Sequence, residues 1–226
     1  MWRSAVHECE FAIIPRVLPH TEVNLLLEAL ISESLERTKA GIRHALSHAS
    51  VARLARDPRL LEIAQGILGA SAFPFHATLF DKSPTANWLV VWHQHTALPL
   101  RVRCETPGWG PWSIKKGVIY AHAPASALSK ILALRVHLDD SISKNGPLRV
   151  LPGTHTLGVL TDENLHERAT TVSAVECLVP DGGVLAMRPL LVHSSSKSET
   201  QAPRRVLHIE YAASSVMGDG LELAIS

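Results

Sequence analysis

The chain has 226 residues, enough for one domain of ordinary size with its own hydrophobic core. It carries 22 lysines and arginines and 21 aspartates and glutamates, and this formal net charge of +1 excludes the strongly basic surface that binds nucleic acid or anionic membranes. Apolar residues make up 46% of the chain, which excludes a disordered protein, and three cysteines without metal or redox spacing exclude a disulfide-built framework. With no signal peptide or membrane-spanning segment in the sequence, we expect a cytoplasmic protein with a small-molecule partner, and neither nucleic acid nor a membrane.

The first part of the chain has the apolar spacing of amphipathic helices. Thr21 is placed to cap a helix whose apolar residues recur at intervals of three and four. A second helix has a clearer start, with Asp57 as N-cap and Pro58 at the first helical position, and Gly69 ends it. We therefore predict a mostly helical flank over residues 1–70.

After Gly69 the sequence changes to short runs rich in β-branched and apolar residues, which are separated by turn compositions. The predicted strands are Phe73–Phe80, Trp88–His95, Gly117–Ala121, Ile131–Leu138, Leu148–Leu151, Ala174–Val179, Gly183–Met187, Leu190–His193 and Arg204–Ala212. Many short strands without intervening helices favour a sandwich, jelly roll or barrel. The sequence therefore predicts a single α+β domain over residues 1–226 that is mostly β, with a β-rich core over residues 71–213.

Two histidines lie two residues apart near the end of a predicted strand. Side chains alternate across a strand, so His93 and His95 share one face, and Leu89 and Val91 precede them on that face. Two imidazoles in this arrangement can converge on one metal ion. The alternative is two histidines that make ordinary hydrogen bonds at a strand end.

A third histidine, His193, ends the apolar segment Leu190–His193, and Arg204 opens the last long strand eleven residues later. A folded-over antiparallel sheet can bring this imidazole opposite the first pair. Three protein ligands on one side of a metal leave positions open for substrate and oxygen, as in non-haem iron oxygenases. The planar guanidinium of Arg204 would bind a carboxylate that also reaches the metal, with Arg205 on the opposite face of the strand.

The order and spacing of several segments resemble the phytanoyl-CoA dioxygenase-like family of Fe(II)/2-oxoglutarate-dependent oxygenases, over nearly the whole chain. The segments that carry the resemblance are FAIIPRVLPHTEV, TLFDKSPTANWLVVWHQH, LALRVHLDDSISKNGPLRVLPGTHTLG, GGVLAMRPLLVHSSSKS and PRRVLHIEYA. The resemblance implies a double-stranded β-helix, a distorted cupin-like jelly roll with flanking N-terminal helices. This implied fold agrees with the order of helices and strands predicted from the residues.

The resemblance also implies roles for particular residues. His93 and His193 match the family's iron ligands, and Arg204 matches the arginine that binds the distal carboxylate of 2-oxoglutarate. The implied activity is oxidation, usually hydroxylation, of a C–H bond of a small molecule, with Fe(II) as cofactor and 2-oxoglutarate and O2 as co-substrates. The strand before the His-x-His strand lines the co-substrate pocket in the family, which makes His76 and Thr78 candidate cofactor-binding residues.

One position departs from the family pattern, because His95 stands where the family has an aspartate ligand. An imidazole can still bind iron, and three neutral histidines would hold Fe(II) less strongly and raise its redox potential. Alternatively the site binds a metal without activating oxygen, or His95 turns away and leaves a vacant position. A non-oxygenase jelly roll with Zn(II) or Ni(II) on the three histidines is a competing class, and a binding module without metal is a third.

Four further residues are candidate substrate contacts. Arg135 and His137 share one face of a predicted strand, where they can meet an anionic substrate or pair with acidic side chains in a structural network. Trp109 and Trp112 lie in a stretch rich in glycine and proline. Their rings can cover the substrate as a mobile lid, or they can pin a long loop to the barrel.

Overall fold

The computed structural model describes residues 2–33, 41–218 and 220–225. The helices are α1 (Trp2–Cys9), α2 (His20–Ser32), α3 (Ala49–Ala55), α4 (Pro58–Leu68), α5 (Ala125–Leu128) and α6 (Asp162–Thr171). The strands are β1 (Phe11–Ile14), β2 (Ile42–Arg43), β3 (Phe73–Lys82), β4 (Val90–His93), β5 (Ala97–Leu100), β6 (Trp112–Lys115), β7 (Val118–His122), β8 (Ile131–His137), β9 (Leu148–Val150), β10 (Val175–Cys177), β11 (Val184–Met187), β12 (His193–Ser195), β13 (Arg204–Ala212), β14 (Val216–Gly218) and β15 (Leu221–Glu222). None of the described helices combines the length and apolar character needed to cross a bilayer.

Two antiparallel sheets form the jelly roll. The larger sheet has six strands in the order β1-β11-β8-β13-β3-β2, and the smaller has four in the order β10-β9-β12-β4. A three-stranded sheet, β5-β7-β6, and the hairpin β14-β15 are added to them. The mostly β jelly roll with N-terminal helices that the sequence predicts is confirmed, and the predicted strands correspond to β3, β4 and β7 to β13.

The central strands of the larger sheet are buried on both faces. On β8, Leu132, Leu134 and Val136 pack in the same cluster as apolar side chains of α2, α3 and α4. Ala133, on the other face, packs against residues of the smaller sheet such as Leu148. A strand that is covered on both faces is normally apolar at almost every position. The polar side chains on the inner face of β8 therefore have a role other than core packing.

The helix predictions are partly confirmed. Helix α4 begins as predicted, because the Asp57 carboxylate accepts a hydrogen bond from the Arg59 backbone N–H at 2.9 Å, and it ends at Gly69. Thr21 is wrong as a cap, since α2 already starts at His20. The carbonyl of Pro19 accepts the first backbone hydrogen bonds of that helix. Part of the predicted helical flank, residues 34–40, lies outside the described residues.

Strand β4 contains a bulge that reverses its side-chain alternation. His93 pairs with His193, whereas Val90 pairs with Ser195, so three steps along β4 oppose two steps along β12. Leu89 and Val91 are consequently 58% and 68% exposed. The prediction that they share the face of His93 is wrong, because the additional residue turns them to the opposite side.

Two regions of secondary structure are missing from the sequence prediction. Helix α6 lies between β9 and β10, although strands without intervening helices are predicted there; it has no buried residue and therefore no apolar stripe. Strands β5 and β6 pair with β7 in a stretch whose glycines and prolines favour a loop. The predicted strand Leu190–His193 is also displaced, because β12 starts at His193 instead of ending there.

Candidate functional site

A cavity of about 120 Å³ lies between the inner faces of the two sheets. The four residues that the sequence predicts as metal ligands and co-substrate anchor, His93, His95, His193 and Arg204, all line it. Its remaining wall includes the apolar side chains of Phe80, Trp88, Val90 and Leu148. The structure therefore brings these four residues to the wall of one cavity.

His93 and His193 form a cross-strand pair between β4 and β12, with ring centroids 4.2 Å apart. Each ring is fixed by its Nδ1–H, which donates to the carbonyl two residues earlier, Val91 at 2.9 Å and Leu191 at 2.8 Å. Burial lowers the pKa of both histidines. The Nε2 atom of each neutral ring is thus left as the lone-pair donor, as a metal ligand requires.

His95 lies just beyond β4, where its backbone N–H donates to the Pro189 carbonyl at 3.0 Å. Its ring stacks on His208 with centroids 5.5 Å apart, and its Nε2 lies 3.6 Å from Oε1 of Glu210. Burial lowers the pKa of His95 and raises the pKa of Glu210 to about 8.

The tightest group of metal-ligating atoms differs from the predicted set. Among the described residues, His95, His208 and Glu210 form a group that could hold a metal ion. Their ligand atoms all lie within 4.8 Å of one another. The nitrogens of His93, His95 and His193 line one cavity but do not approach one another that closely as a set. The two sets share His95.

Arg204 points into the cavity from the start of β13 and is 4% exposed. Its Nε donates to the Asn145 carbonyl at 3.1 Å and its Nη2 to Ser195 Oγ at 3.4 Å. Desolvation lowers its pKa to about 10. The next residue, Arg205, faces the opposite side as predicted and forms a two-pronged ion pair with Asp139.

Two more buried cations accompany Arg204. Lys82, its register partner on β3, donates from Nζ to Ser195 Oγ at 2.9 Å and to the Ser196 carbonyl, and Arg135 lines the cavity from β8. Desolvation, with repulsion from the neighbouring guanidinium of Arg204, lowers the pKa of Lys82 to about 7 and that of Arg135 to about 9. None of the ion pairs among the described residues joins these three cations to a carboxylate. Buried positive charge without a direct ion-pair partner favours an anionic ligand in the cavity beside it.

His76 and Thr78 lie in a neighbouring cavity of about 100 Å³, which shares its Phe80, His95 and His208 wall with the first. They do not line the cavity of Arg204 itself, and the register of the paired strands gives the reason; their role as cofactor-binding residues stays a prediction. On the paired strands, Arg204 lies opposite Lys82, whereas Thr78 and His76 lie opposite residues further along β13. They therefore border the far side of the His95–His208 wall.

The structure separates the two candidate residues of β8. The Arg135 guanidinium donates from Nη1 to His208 Nδ1 at 3.2 Å and lies over the Phe80 ring at 5.2 Å. His137 lines neither cavity, and its Nδ1 forms a hydrogen bond with Ser141 Oγ at 2.9 Å. Arg135 thus lines the cavity, whereas His137 lies outside it and is hydrogen-bonded to a serine hydroxyl instead of the acidic partner that the structural alternative expects.

Trp109 and Trp112 line neither of the two cavities. Trp109 is buried in an apolar cluster with Leu98 and Ala121, and Trp112 packs against the same cluster from β6. The lid interpretation is therefore wrong, because the sheet β5-β7-β6 orders this stretch and the two rings pin it to the barrel.

Sequence reasoning does not select His208 and Glu210 as site residues. Both lie on β13 at even-numbered positions, which places them on the same inner face as Arg204. The alternation of side chains along β13, which orients Arg204, therefore also predicts that His208 and Glu210 face the site.

The fold and the site together are those of a jelly-roll protein. The cavity between its two sheets is lined by imidazoles and by cationic side chains. The sequence profile of the phytanoyl-CoA dioxygenase (PhyH) family matches residues 28–206, so the chain belongs to this family and the predicted resemblance is confirmed. L-proline trans-4-hydroxylase from Streptomyces griseoviridis is 26% identical in an alignment 186 residues long, and the alignment covers 71% of this chain and 62% of that protein. The chain therefore spans less than two thirds of the length of this curated relative.

Solved structures with the same fold include EctD from S. alaskensis with bound Fe, at 21% identity and a TM-score of 0.69 over 93% of this chain and 75% of that one. Another is the epimerase SnoN in complex with Fe3+, alpha ketoglutarate and nogalamycin RO. It has 20% identity and a TM-score of 0.70 over 95% of this chain and 83% of its own. At these identities the likeness shows the fold.

Proposed function

We propose that the protein is a non-haem Fe(II)- and 2-oxoglutarate-dependent oxygenase that oxidises a C–H bond of a small molecule. The observation that carries this proposal is the cavity shared by the His93–His193 pair and the buried Arg204, which forms no ion pair with the residues that the structure describes. Family membership and the hydroxylase activity in the name of the Streptomyces relative support the same class of reaction.

The donor chemistry of the cavity fits a first-row divalent metal. We propose His93, His95 and His193 as its ligands. The backbone hydrogen bonds of His93 and His193 through Nδ1 support this assignment, because metal-binding histidines are commonly oriented by a hydrogen bond at the other ring nitrogen. Bound iron together with 2-oxoglutarate supplies the oxidation of an unactivated C–H bond by O2, with succinate and CO2 as co-products.

The cationic residues of the cavity fit 2-oxoglutarate. The Arg204 guanidinium is placed to bind the distal carboxylate, and its hydrogen bonds to Asn145 and Ser195 hold it in position. Lys82 and Arg135 add positive charge, so a dianion would relieve the mutual repulsion of the three cations. Apolar side chains such as Trp88 form part of the wall and lower the polarity around the bound anion.

The test is Fe(II)-dependent formation of succinate from 2-oxoglutarate by protein that was purified without oxygen. We expect the parent protein to release succinate and the His193→Ala variant to lose this activity. His166→Ala, on the exposed surface of α6, is the matched control and should behave as the parent. Succinate formation that needs no added Fe(II), or that persists in His193→Ala, would overturn the proposal.

One observation favours a second candidate, a three-histidine Zn(II) or Ni(II) protein without oxygenase activity. His95 replaces the carboxylate ligand of the family, and this removes one negative charge from the metal site. This alternative predicts bound metal without succinate release in the parent. Under it, the His95→Asp variant gains an activity that the parent lacks.

A further inference from the structure

A second group of potential metal ligands includes His95 and His208, which line both cavities, and Glu210, which lies behind them. His208 and Glu210 project from alternate positions of β13, and His95 approaches them from the end of β4. The His95 Nε2 and Glu210 Oε1 atoms are 3.6 Å apart, and the ligand atoms of all three residues lie within 4.8 Å of one another. Two ligands at about 2.1 Å from a tetrahedral metal are about 3.4 Å apart, so the observed spacing suits a shared cation.

Two polar atoms of this set are buried without a hydrogen bond. They are Nε2 of His208 and Oε2 of Glu210, in side chains that are 4% and 1% exposed. Native interiors rarely leave such atoms unpaired, and a bound cation is one of the few ways to satisfy a nitrogen and an oxygen together. Glu210 is also the carboxylate that faces His95, and none of the ion pairs among the described residues joins it to lysine or arginine.

We propose that His95, His208 and Glu210 form a second divalent-metal site, which takes Zn(II) or a similar first-row ion. Two imidazoles and one carboxylate are a donor set that such ions accept while keeping positions open for other ligands. The site borders both cavities, so those positions can be reached from either side.

The contact between His208 Nδ1 and Arg135 determines how His208 binds the metal. Arg135 can only donate, so Nδ1 accepts at 3.2 Å and Nε2 carries the proton of the neutral ring. Metal binding at Nε2 moves that proton to Nδ1 and ends the contact with Arg135. The guanidinium is then free to serve the anion-binding cavity that it already lines.

His95 belongs to both sets, so a metal in the second site withdraws the third imidazole from the His93–His193 pair. The assignment of the second site itself stands on its three donors and does not depend on the proposed oxygenase activity. Where that activity holds, occupancy of the second site competes with the iron site for His95.

The test is a Zn(II) titration of the apoprotein against a chromophoric chelator. We expect Glu210→Gln and His208→Gln, which keep the size and polarity of the side chains, each to weaken Zn(II) binding by about tenfold or more. The surface control His166→Ala should leave this affinity unchanged. Parental affinity in either glutamine variant, or a parent that binds no Zn(II), would overturn the proposal.

X-ray absorption spectroscopy of the zinc-loaded parent protein identifies the atoms that bind the metal. This measurement needs no variant, so it still tests the proposal if a variant fails to fold. We expect two imidazole nitrogens and a carboxylate oxygen around the metal, and a shell of three imidazoles without carboxylate would overturn the assignment. Succinate formation with Fe(II) is measured separately. Its absence refutes the proposed oxygenase and leaves the zinc site standing, whereas unchanged zinc binding in Glu210→Gln refutes the site and leaves the oxygenase standing.

Discussion

Replacing Arg204 by methionine should remove the response to 2-oxoglutarate without destabilising the free protein. Burial lowers the pKa of Arg204 from 12.5 to about 10, and this difference means that the folded state disfavours the charged guanidinium by about 3 kcal/mol at neutral pH. Methionine removes that cost, but it leaves the Asn145 carbonyl and Ser195 Oγ without one donor each, at about 1 kcal/mol apiece. We therefore expect the free variant to be about as stable as the parent, to within about 1–2 kcal/mol.

The ligand response gives the larger signal. A ligand at about 100 times its Kd adds about 2.7 kcal/mol to the free energy of unfolding. Loss of a two-pronged, charge-assisted contact should weaken 2-oxoglutarate binding about 100-fold, and the same concentration then adds about 0.4 kcal/mol. The assay is urea denaturation without oxygen, with Fe(II) present and with or without 2-oxoglutarate.

Arg205→Met is the matched control for this experiment. Arg205 is the next residue on β13, but it lies on the opposite face and pairs with Asp139 at 2.7 and 2.8 Å. Its loss should reduce the stability of the free protein by about 1–2 kcal/mol and leave the full response to 2-oxoglutarate. A full response in Arg204→Met, or a lost response in Arg205→Met, would refute the reasoning.

Three further changes test the fold and the cationic cavity. Trp109→Ala should lower the free energy of unfolding, measured by urea denaturation, by about 3–5 kcal/mol, because this ring packs in the core. The ring lines neither cavity, so the KM for 2-oxoglutarate should stay unchanged, and a raised KM would contradict that placement. Gly146→Ala should cost about 2 kcal/mol or more, since Gly146 has a φ of 66° and an added Cβ would lie 2.2 Å from the Ser196 carbonyl oxygen; an unchanged denaturation midpoint would count against this geometry. Lys82→Met should be more stable than the parent near pH 6, and the difference should shrink as the pH rises from 7 towards 10. The cause is that folded Lys82, with its pKa of about 7, releases its proton before the unfolded chain does; a difference independent of pH would refute this assignment.

Local patterns in the sequence predict the features that depend on side-chain alternation along a strand or on a helix N-cap. The orientations of Arg204 and Arg205 follow from alternation along one strand, and the start of α4 follows from Asp57 and Pro58. The meeting of His93 and His193 required the family resemblance, because cross-strand pairing is not a local property of the sequence.

The remaining features depend on pairing between distant segments. The bulge in β4 results from a shift in its register against β12. No residue in the segment WLVVWHQH predicts this shift. The register of β13 against β3 separates His76 and Thr78 from Arg204. Likewise, β5 and β6 have loop-like compositions and become strands because β7 lies between them.

The central claim is that one cavity binds a divalent metal and 2-oxoglutarate together. The most direct measurement is calorimetric titration of 2-oxoglutarate into oxygen-free protein, with and without Fe(II). We predict that Fe(II) tightens 2-oxoglutarate binding by about tenfold or more, that 2-oxoglutarate tightens Fe(II) binding by the same factor, and that His193→Ala removes this coupling. Equal affinity for 2-oxoglutarate with and without Fe(II) would contradict the account.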